Sequence, residues 1–231
     1  MLRDVHPVSR AGFLALTLVI VTLGVPAPGM AQSAAGTPAA NTTESAQATP
    51  QGKFIQNLGD KAIAILADNK ITPDQRDVKF REMLRETFDL ATIGRFVIGR
   101  SWNAATPDQQ KEYMHLFEEL VVKTYSDRFA LYTGEGFKVR AVHPEGEKDF
   151  IVNSDITHPD GSPPTTVDWR LRQKGDKLGI IDVVVEGVSM SVTQRQEYAS
   201  VIQRNGGNID GLLDVMRDHL KNPANAHPNN G

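Results

Sequence analysis

No cysteine occurs anywhere in the 231 residues. In an exported chain that excludes disulfides and thiol chemistry, and it leaves nowhere to attach a lipoprotein-type lipid anchor. The six histidines are scattered, no pair has the spacing of an HExxH helix, and no cysteine is there to join them in a metal site. There is no GxSxG elbow, no Walker A loop and no GxGxxG turn. The stretch "DITHPDGS" (155–162) lacks the alternating oxygen ligands and closing glutamate of a calcium loop, and reads as a hairpin turn. A formal net charge of −3 gives none of the basic footprint of a nucleic-acid binder.

Long apolar runs are also lacking, with one exception. "AGFLALTLVIVTLGV" (11–25) is an uncharged stretch of 15 residues behind Arg3 and Arg10. It is followed by "PAPGMAQ", which places Gly29 and Ala31 at the −3 and −1 positions of a cleavage site. The pattern predicts a secretory signal peptide over 1–31, too short for a bilayer span, cleaved near Ala31 and without a twin-arginine pair, hence exported by the Sec route. Its loss removes Arg3, Arg10 and Asp4, taking the net charge from −3 to −4 and leaving 200 residues, enough for one domain with a real core. The polar, small-residue stretch 32–52 reads as a flexible linker and 222–231 as a disordered tail, so the folded domain is expected over 53–221.

Within that domain the first half has a helical period. Phe54, Leu58, Ala62 and Ile65 step by three and four. The tetrapeptide "TPDQ" occurs at 72–75 and again at 106–109, each copy offering Thr as N-cap, Pro at the first helical position and Gln to close a capping box. The first box opens a helix carrying Phe80, Met83, Leu84 and Phe88 inward, and "FDLATIGRFVIGRSW" (88–102) continues the bundle. Gly94 and Gly99 within it read as points of close helix packing. The second box opens a long helix from Pro107 to about Leu131, on which His115 is a partly exposed surface residue.

The second half changes to a period of two. Four strands are expected at 137–142, 149–157, 165–173 and 177–187, joined by short turns rich in Gly, Pro and Asp, which implies an antiparallel meander. Alternation puts Val167, Trp169 and Leu171 on one face, and Ile181, Val183 and Val185 together on the last strand. Asp168 and Asp182 fall opposite, which argues against a buried catalytic carboxylate pair and for a solvated or salt-bridged face shared with Arg170 and Arg172. Two helices close the chain, the first stopped by "NGG" (205–207). The fold class is therefore α+β, with N-terminal helices, a four-stranded antiparallel sheet and C-terminal helices. Apolar surface in this quantity leaves two options open: a filled core, or a pocket between helices and curved sheet.

The stretches "FDLATIGRFVIGRSWNAATPDQQKEYMHLF", "VKTYSDRFALYTGEGFKV", "VDWRLR" and "IIDVVVEGVSMSVTQRQEYASVIQRNGG" together resemble the MlaC family, once called toluene-tolerance proteins, across about 54–220. The most specific of them is the strand, then Glu-Gly-Val-Ser, then helix. The resemblance implies a periplasmic lipid carrier and not an enzyme, with no cofactor or metal, whose cavity takes phospholipid acyl chains while the head group stays near the mouth. It implies as partners an inner-membrane MCE-domain protein with its ABC transporter and an outer-membrane lipoprotein–porin complex, and a role in outer-membrane lipid asymmetry. The cavity lining expected from periodicity and that architecture is Phe117, Val121, Tyr125 and Phe129 on the long helix, Val167, Trp169, Ile181, Val183 and Val185 on the sheet, and Val188 and Met190 at the corner. Arg195 and Arg204 are candidates for a phosphate or an acidic partner surface. The alternatives are a hopanoid carrier of the HpnM branch, a periplasmic enzyme of cone-like α+β fold, and a structural adaptor with a filled core.

Overall fold

The computed structural model describes residues 45–129, 132 and 134–222, the side chains of 126–129 excepted. The expected signal peptide, most of the linker and all but the first residue of the expected tail lie outside the described residues. Helical structure is already present ahead of the expected domain start at residue 53. Ser45–Ala48 is a helical turn, and α1 (Pro50–Ala67) starts at once behind Thr49, whose hydroxyl accepts the Gly52 N–H. The linker reading of 45–52 is thus replaced by an N-capped helix start, a signal carried by the Thr49-Pro50 pair itself.

Both capping boxes form. Thr72 opens α2 (Pro73–Thr87) with the Gln75 side chain returned to its N–H, and Thr106 does the same with Gln109 ahead of α5 (Pro107–Phe129). Between them lie α3 (Leu90–Ile98) and the single turn α4 (Ser101–Ala104). Gly94 is buried, and a Cβ there would meet the Met114 sulfur at 2.8 Å, so the expected close packing of helices is found at this glycine. His115 is exposed on α5.

The sheet follows as β1 (Gly136–Glu145), β2 (Asp149–Thr157), β3 (Thr165–Lys174), β4 (Lys177–Val185) and a two-residue β5 (Val188–Ser189), antiparallel throughout and paired in chain order. The expected four strands become five because the last one turns back on itself. Glu186 and Gly187 both take positive φ, 48° and 80°, the signature of a type I′ two-residue hairpin. The non-glycine member is held there by β3: its N–H donates to the Thr166 carbonyl, and its carboxylate accepts the Thr166 N–H and hydroxyl. Two helices, α6 (Met190–Arg204) and α7 (Ile209–Lys221), end the described chain. The "NGG" stop is a left-handed cap, with Gly206 and Gly207 at φ 83° and 81° and the Gly207 N–H on the Ile202 carbonyl.

The apolar interior divides in two. One core joins α1, α2 and part of α5 to a single face of the sheet through Ile55, Phe80, Met83, Leu84, Val122, Val139, Val152, Leu171 and Ile180. The other is all helical, built by α3, α5, α6 and α7 around Tyr113, Tyr198, Leu212 and Met216. Val121 packs against both. At the outer edge of the sheet, α1 and the turn before it replace a missing neighbour strand: the Gln56 amide oxygen accepts the Val139 N–H at 3.1 Å and Gln47 donates to the Val139 carbonyl at 3.3 Å. That edge is also where Pro144, which has no N–H to offer, is tolerated inside β1.

Candidate functional site

The sheet face that meets the helices is set by register. Val152, Trp169 and Val183 lie side by side across β2, β3 and β4, flanked by Ser154, Val167 and Val185. The expected grouping of Val167, Trp169 and Leu171 holds. On β4 it changes, because a β-bulge between Arg170 and Leu171 pairs Leu171 with Ile180 and Arg170 with Asp182. Ile181 is the extra residue and steps out of the alternation, while Ile180 takes the inward position and is fully buried. Ile181 is accordingly removed from the inward row and Ile180 replaces it.

Phe117 is also placed differently. It sits in the helical core, 5.8 Å from the Tyr113 ring, and lies beside Gly94 rather than over the sheet. Tyr125, two turns further along α5, does belong to the sheet side, with its ring 6.4 Å from Phe80. Phe129 ends α5, and its side chain lies outside the described residues. Val188 pairs with Val185 across the hairpin and so shares its face, but it is 38% exposed, at the rim. Met190 is the first, half-buried residue of α6.

A run of half-buried apolar side chains therefore crosses the sheet under the helices: Val121, Tyr125, Phe137, Trp169 and Val183, ending at Val185 and the exposed Val188. Phe137 was not read from the sequence as part of it. It stands 6.2 Å from Trp169 in an edge-to-face pair, against the bare backbone of Gly59 in α1. Ser154 was missed as well. It is completely buried, accepts the Trp169 indole N–H at 2.9 Å and donates to the Val167 carbonyl at 2.9 Å. A serine between Val152 and Ile156 on the otherwise apolar inward face of β2 is the only signal the sequence carries for it. These bonds fix the indole and leave its apolar faces in the run.

Two concavities among the described residues contain none of the expected lining. A crevice between α1 and α2, bounded by Ala62, Ile65, Leu66, Arg76, Phe80 and Met83, has no room for a water molecule. An open groove of about 430 Å³ crosses the outside of α2 at Ile71, Gln75, Val78 and Glu82. The first matters more, because Phe80 joins it to Tyr125 and hence to the run.

The polar face of the sheet is laced by ion pairs and hydrogen bonds. Arg172 grips Asp149 at 2.6 and 2.8 Å, Arg170 meets Glu145 at 2.8 Å, Arg140 meets Asp155 at 2.9 Å, and Asp168 accepts from Asn153 at 2.6 Å. Asp182 departs from the expectation of a solvated or ion-paired residue. It is buried, and its carboxylate accepts the Ser189 hydroxyl at 2.6 Å and the Ser191 N–H at 3.1 Å. The start of α6 folds over it, supplying hydrogen-bond donors in place of a cation. Tyr113 and Tyr198, both buried in the helical core, are pushed well above the ordinary phenol range by loss of water. Neither is placed to give up a proton. Among the described residues no group of His, Asp or Glu is gathered as a metal site would need.

The sequence profile of the family described as "MlaC protein" matches residues 56–218. The intermembrane phospholipid transport system binding protein MlaC of Haemophilus influenzae is 22% identical over 176 residues, covering 73% of this chain and 81% of that protein. The toluene tolerance protein ttg2D of Pseudomonas putida is 24% identical over 110 residues, 48% of this chain and 51% of that one. Among solved structures, a phospholipid-binding protein from Ralstonia solanacearum, determined in complex with a phospholipid, matches with a TM-score of 0.65 at 20% identity over 74% of this chain and 97% of its own. The fold is shared with that protein, and the chain belongs to the MlaC family.

Proposed function

We propose that this MlaC-family chain is a periplasmic carrier that takes the acyl chains of a phospholipid between its helices and its sheet and moves the lipid between the outer and inner membranes. The observation that carries the reading is the half-buried apolar run from Val121 and Tyr125 across Phe137, Trp169 and Val183 to Val188 at the rim. Side chains in the centre of a domain this size are ordinarily shut away from water. This run is only half shut, and it reaches the surface at one end.

The energetics favour a carrier. Each methylene buried is worth roughly 0.8 kcal/mol, so two chains of about sixteen carbons gain on the order of 20 kcal/mol gross by leaving water. Free transit of a bare lipid is correspondingly forbidden, and a soluble protein that hides the chains removes the obstacle. A typical ligand pocket holds about 300–1,000 Å³. In this reading such a space is made by separating α1 and α2 from the sheet, beginning beside the crevice that Phe80 lines and carrying Phe80 away from its ring contact with Tyr125. Release needs a partner that opens the same seam or offers an equally apolar path. An inner-membrane MCE-domain protein with its ABC transporter, and an outer-membrane lipoprotein–porin complex, fill those roles in this reading. No catalytic residue is required.

The test is native mass spectrometry of protein taken from a periplasmic extract without detergent, followed by lipid extraction. A mass excess of one phospholipid with diacyl species in the extract is the expected result. A hopanoid in the extract moves the chain to the HpnM branch. Protein that arrives without lipid, and takes none from vesicles, rules the carrier reading out.

A further inference from the structure

Three of the four exposed large apolar side chains among the described residues gather on one side, Phe96 on α3, Val188 on β5 and Val192 on α6. Arg195 ties them together. Its guanidinium lies over the Phe96 ring, 4.9 Å from the centroid, and rests on Gly99, where a Cβ would stand 3.3 Å from the guanidinium. Val192 is one turn before Arg195 on the same side of α6, and Val188 lies just ahead of that helix. Arg100 lies just past Gly99, the positive-φ cap that ends α3, and Arg95 covers the Trp102 ring at 5.1 Å.

Along α3 and the exposed side of α6 around Arg195 the charge is one-sided; the nearest carboxylate, Glu186 in the turn before Val188, is engaged by the Thr166 N–H and hydroxyl. From Leu90 to Thr106 the chain carries Arg95 and Arg100 and no acidic residue. Arg95, Arg100 and Arg195 are all exposed and none forms an ion pair among the described residues. Asp89, at the N-cap of α3, is already neutralised by Lys174, and Glu197 projects from a different side of α6 and accepts from Gln194. A cationic, partly apolar strip on a chain of net charge −3 is an exception to its own surface.

We propose that this face docks the protein on an anionic phospholipid bilayer. The inference rests on the carrier reading and adds the surface from which lipid is loaded or delivered. Guanidinium groups of one sign suit a uniformly negative plane of phosphates, whereas a specific protein interface interleaves both signs. Three apolar side chains are few for the centre of a protein interface of about 1,600 Å², but they suffice for shallow, reversible insertion beneath head groups. Val188 supplies continuity. It belongs by register to the same sheet face as Val185 and Trp169, so a bilayer touching the strip also touches the rim of the apolar run.

The experiment is co-sedimentation of the full chain with vesicles of phosphatidylcholine alone and of equimolar phosphatidylcholine and phosphatidylglycerol, with bound lipid measured on the same samples by native mass spectrometry. The expected result is binding to the anionic vesicles only, lost in molar salt where the Debye length is about 3 Å. Reversing two arginines in the double variant Arg100→Glu, Arg195→Glu weakens that binding about tenfold or more. Arg195→Lys keeps most of it, and Phe96→Ser with Val192→Ser weakens it without changing its salt dependence. All variants retain the lipid carried by the parent, which shows that they are folded. Equal binding to both vesicle types, no binding at all, or unchanged binding of the reversed variant overturns the proposal, as does a strip that crosslinks to an acidic protein while ignoring vesicles. A chain that binds anionic vesicles but never holds a lipid leaves the docking face standing and removes the carrier reading instead.

Discussion

The Asp182 carboxylate and the Ser189 hydroxyl meet at 2.6 Å, and through that bond β4 holds the first turn of α6. Ser189 is itself the N-cap, accepting the Val192 N–H at 3.1 Å, while Asp182 takes the Ser191 N–H at the next donor position. Two of the donors a helix leaves unsatisfied at its start are thus met by one strand residue and one cap. The Glu186–Gly187 turn brings them together. The strand-to-helix corner, which shows no chemistry in its wording, is a joint that sets the angle of α6 against the sheet beside the rim of the apolar run.

Asp182→Ala is therefore expected to destabilise the protein by about 2–3 kcal/mol, because the buried Ser191 N–H and the part-buried Ser189 hydroxyl lose an acceptor at once. Asp182→Asn keeps one carbonyl acceptor and should lose less. Urea unfolding followed by far-ultraviolet circular dichroism measures both, and equal stability of Asp182→Ala and the parent would show that the joint carries no weight.

The sequence made parts of this legible and hid others, for physical reasons. The two "TPDQ" boxes announce their helices because every interaction they need lies within four residues. The period of two fixes the inward face of β3, Val167 with Trp169 and Leu171, since that strand runs unbroken. On β4 the same rule fails at Ile181, where one inserted residue shifts the alternation and hands the buried place to Ile180. A bulge is a matter of pairing between strands, and no local pattern encodes it. Phe117 failed differently: the apolar stripe of α5 is wide enough to serve two cores, and the periodicity of one helix cannot say which partner each residue meets. The buried state of Asp182 depends on a helix that starts eight residues later. Ser154 was hidden because its role depends on an indole from the neighbouring strand.

Acid should weaken the link between α2 and α5. Arg81 hydrogen-bonds Glu119 through both oxygens, and this holds the Glu119 carboxyl below its usual range against a partial burial that raises it. A carboxylate with a depressed folded pKa contributes stability that is fully present above the unfolded value of about 4.3 and is lost as pH falls through the folded one. Asp149, lowered chiefly by its hydrogen bonds from Arg172, acts in the same sense. Stability is expected to decline from about pH 5 downward, and Glu119→Gln should be less stable at neutral pH and flatter across that window. Thermal melts between neutral pH and about pH 3 check this; an unchanged slope in Glu119→Gln would assign the acid sensitivity elsewhere.

Trp169 offers a direct report on the apolar run. The chain has two tryptophans, and Trp102 lies in the helical core, so Trp102→Phe leaves Trp169 as the only indole. Addition of phospholipid vesicles or a short-chain phospholipid to delipidated Trp102→Phe protein should shift its emission to the blue, because a half-exposed ring becomes covered by acyl chains. Val183→Asp, beside Trp169 in the sheet, should reduce lipid occupancy several-fold, since a carboxylate in that row must be desolvated against hydrocarbon. An emission spectrum indifferent to lipid would place the ligand away from Trp169.

Gly59 gives the sharpest test of how α1 closes over the sheet. A methyl group there would lie 2.1 Å from the Phe137 ring, far inside contact distance. Helix propensity alone favours alanine over glycine by about 1 kcal/mol at such a position. The overlap opposes it: Phe137 must move, and Phe137 is packed edge-to-face on Trp169, whose indole is tied to Ser154. Overpacking of this kind costs about 1–3 kcal/mol, so the net effect of Gly59→Ala is expected to be destabilising despite the gain in propensity. If α1 parts from the sheet to admit lipid, the same change should raise the rate of lipid uptake while lowering stability, because it strains only the closed contact. Urea unfolding and the time course of Trp169 emission on mixing with phospholipid read the two effects separately. A variant that is less stable but takes up lipid no faster would mean that the chains enter by another seam, and the Val188 rim would then be the place to look.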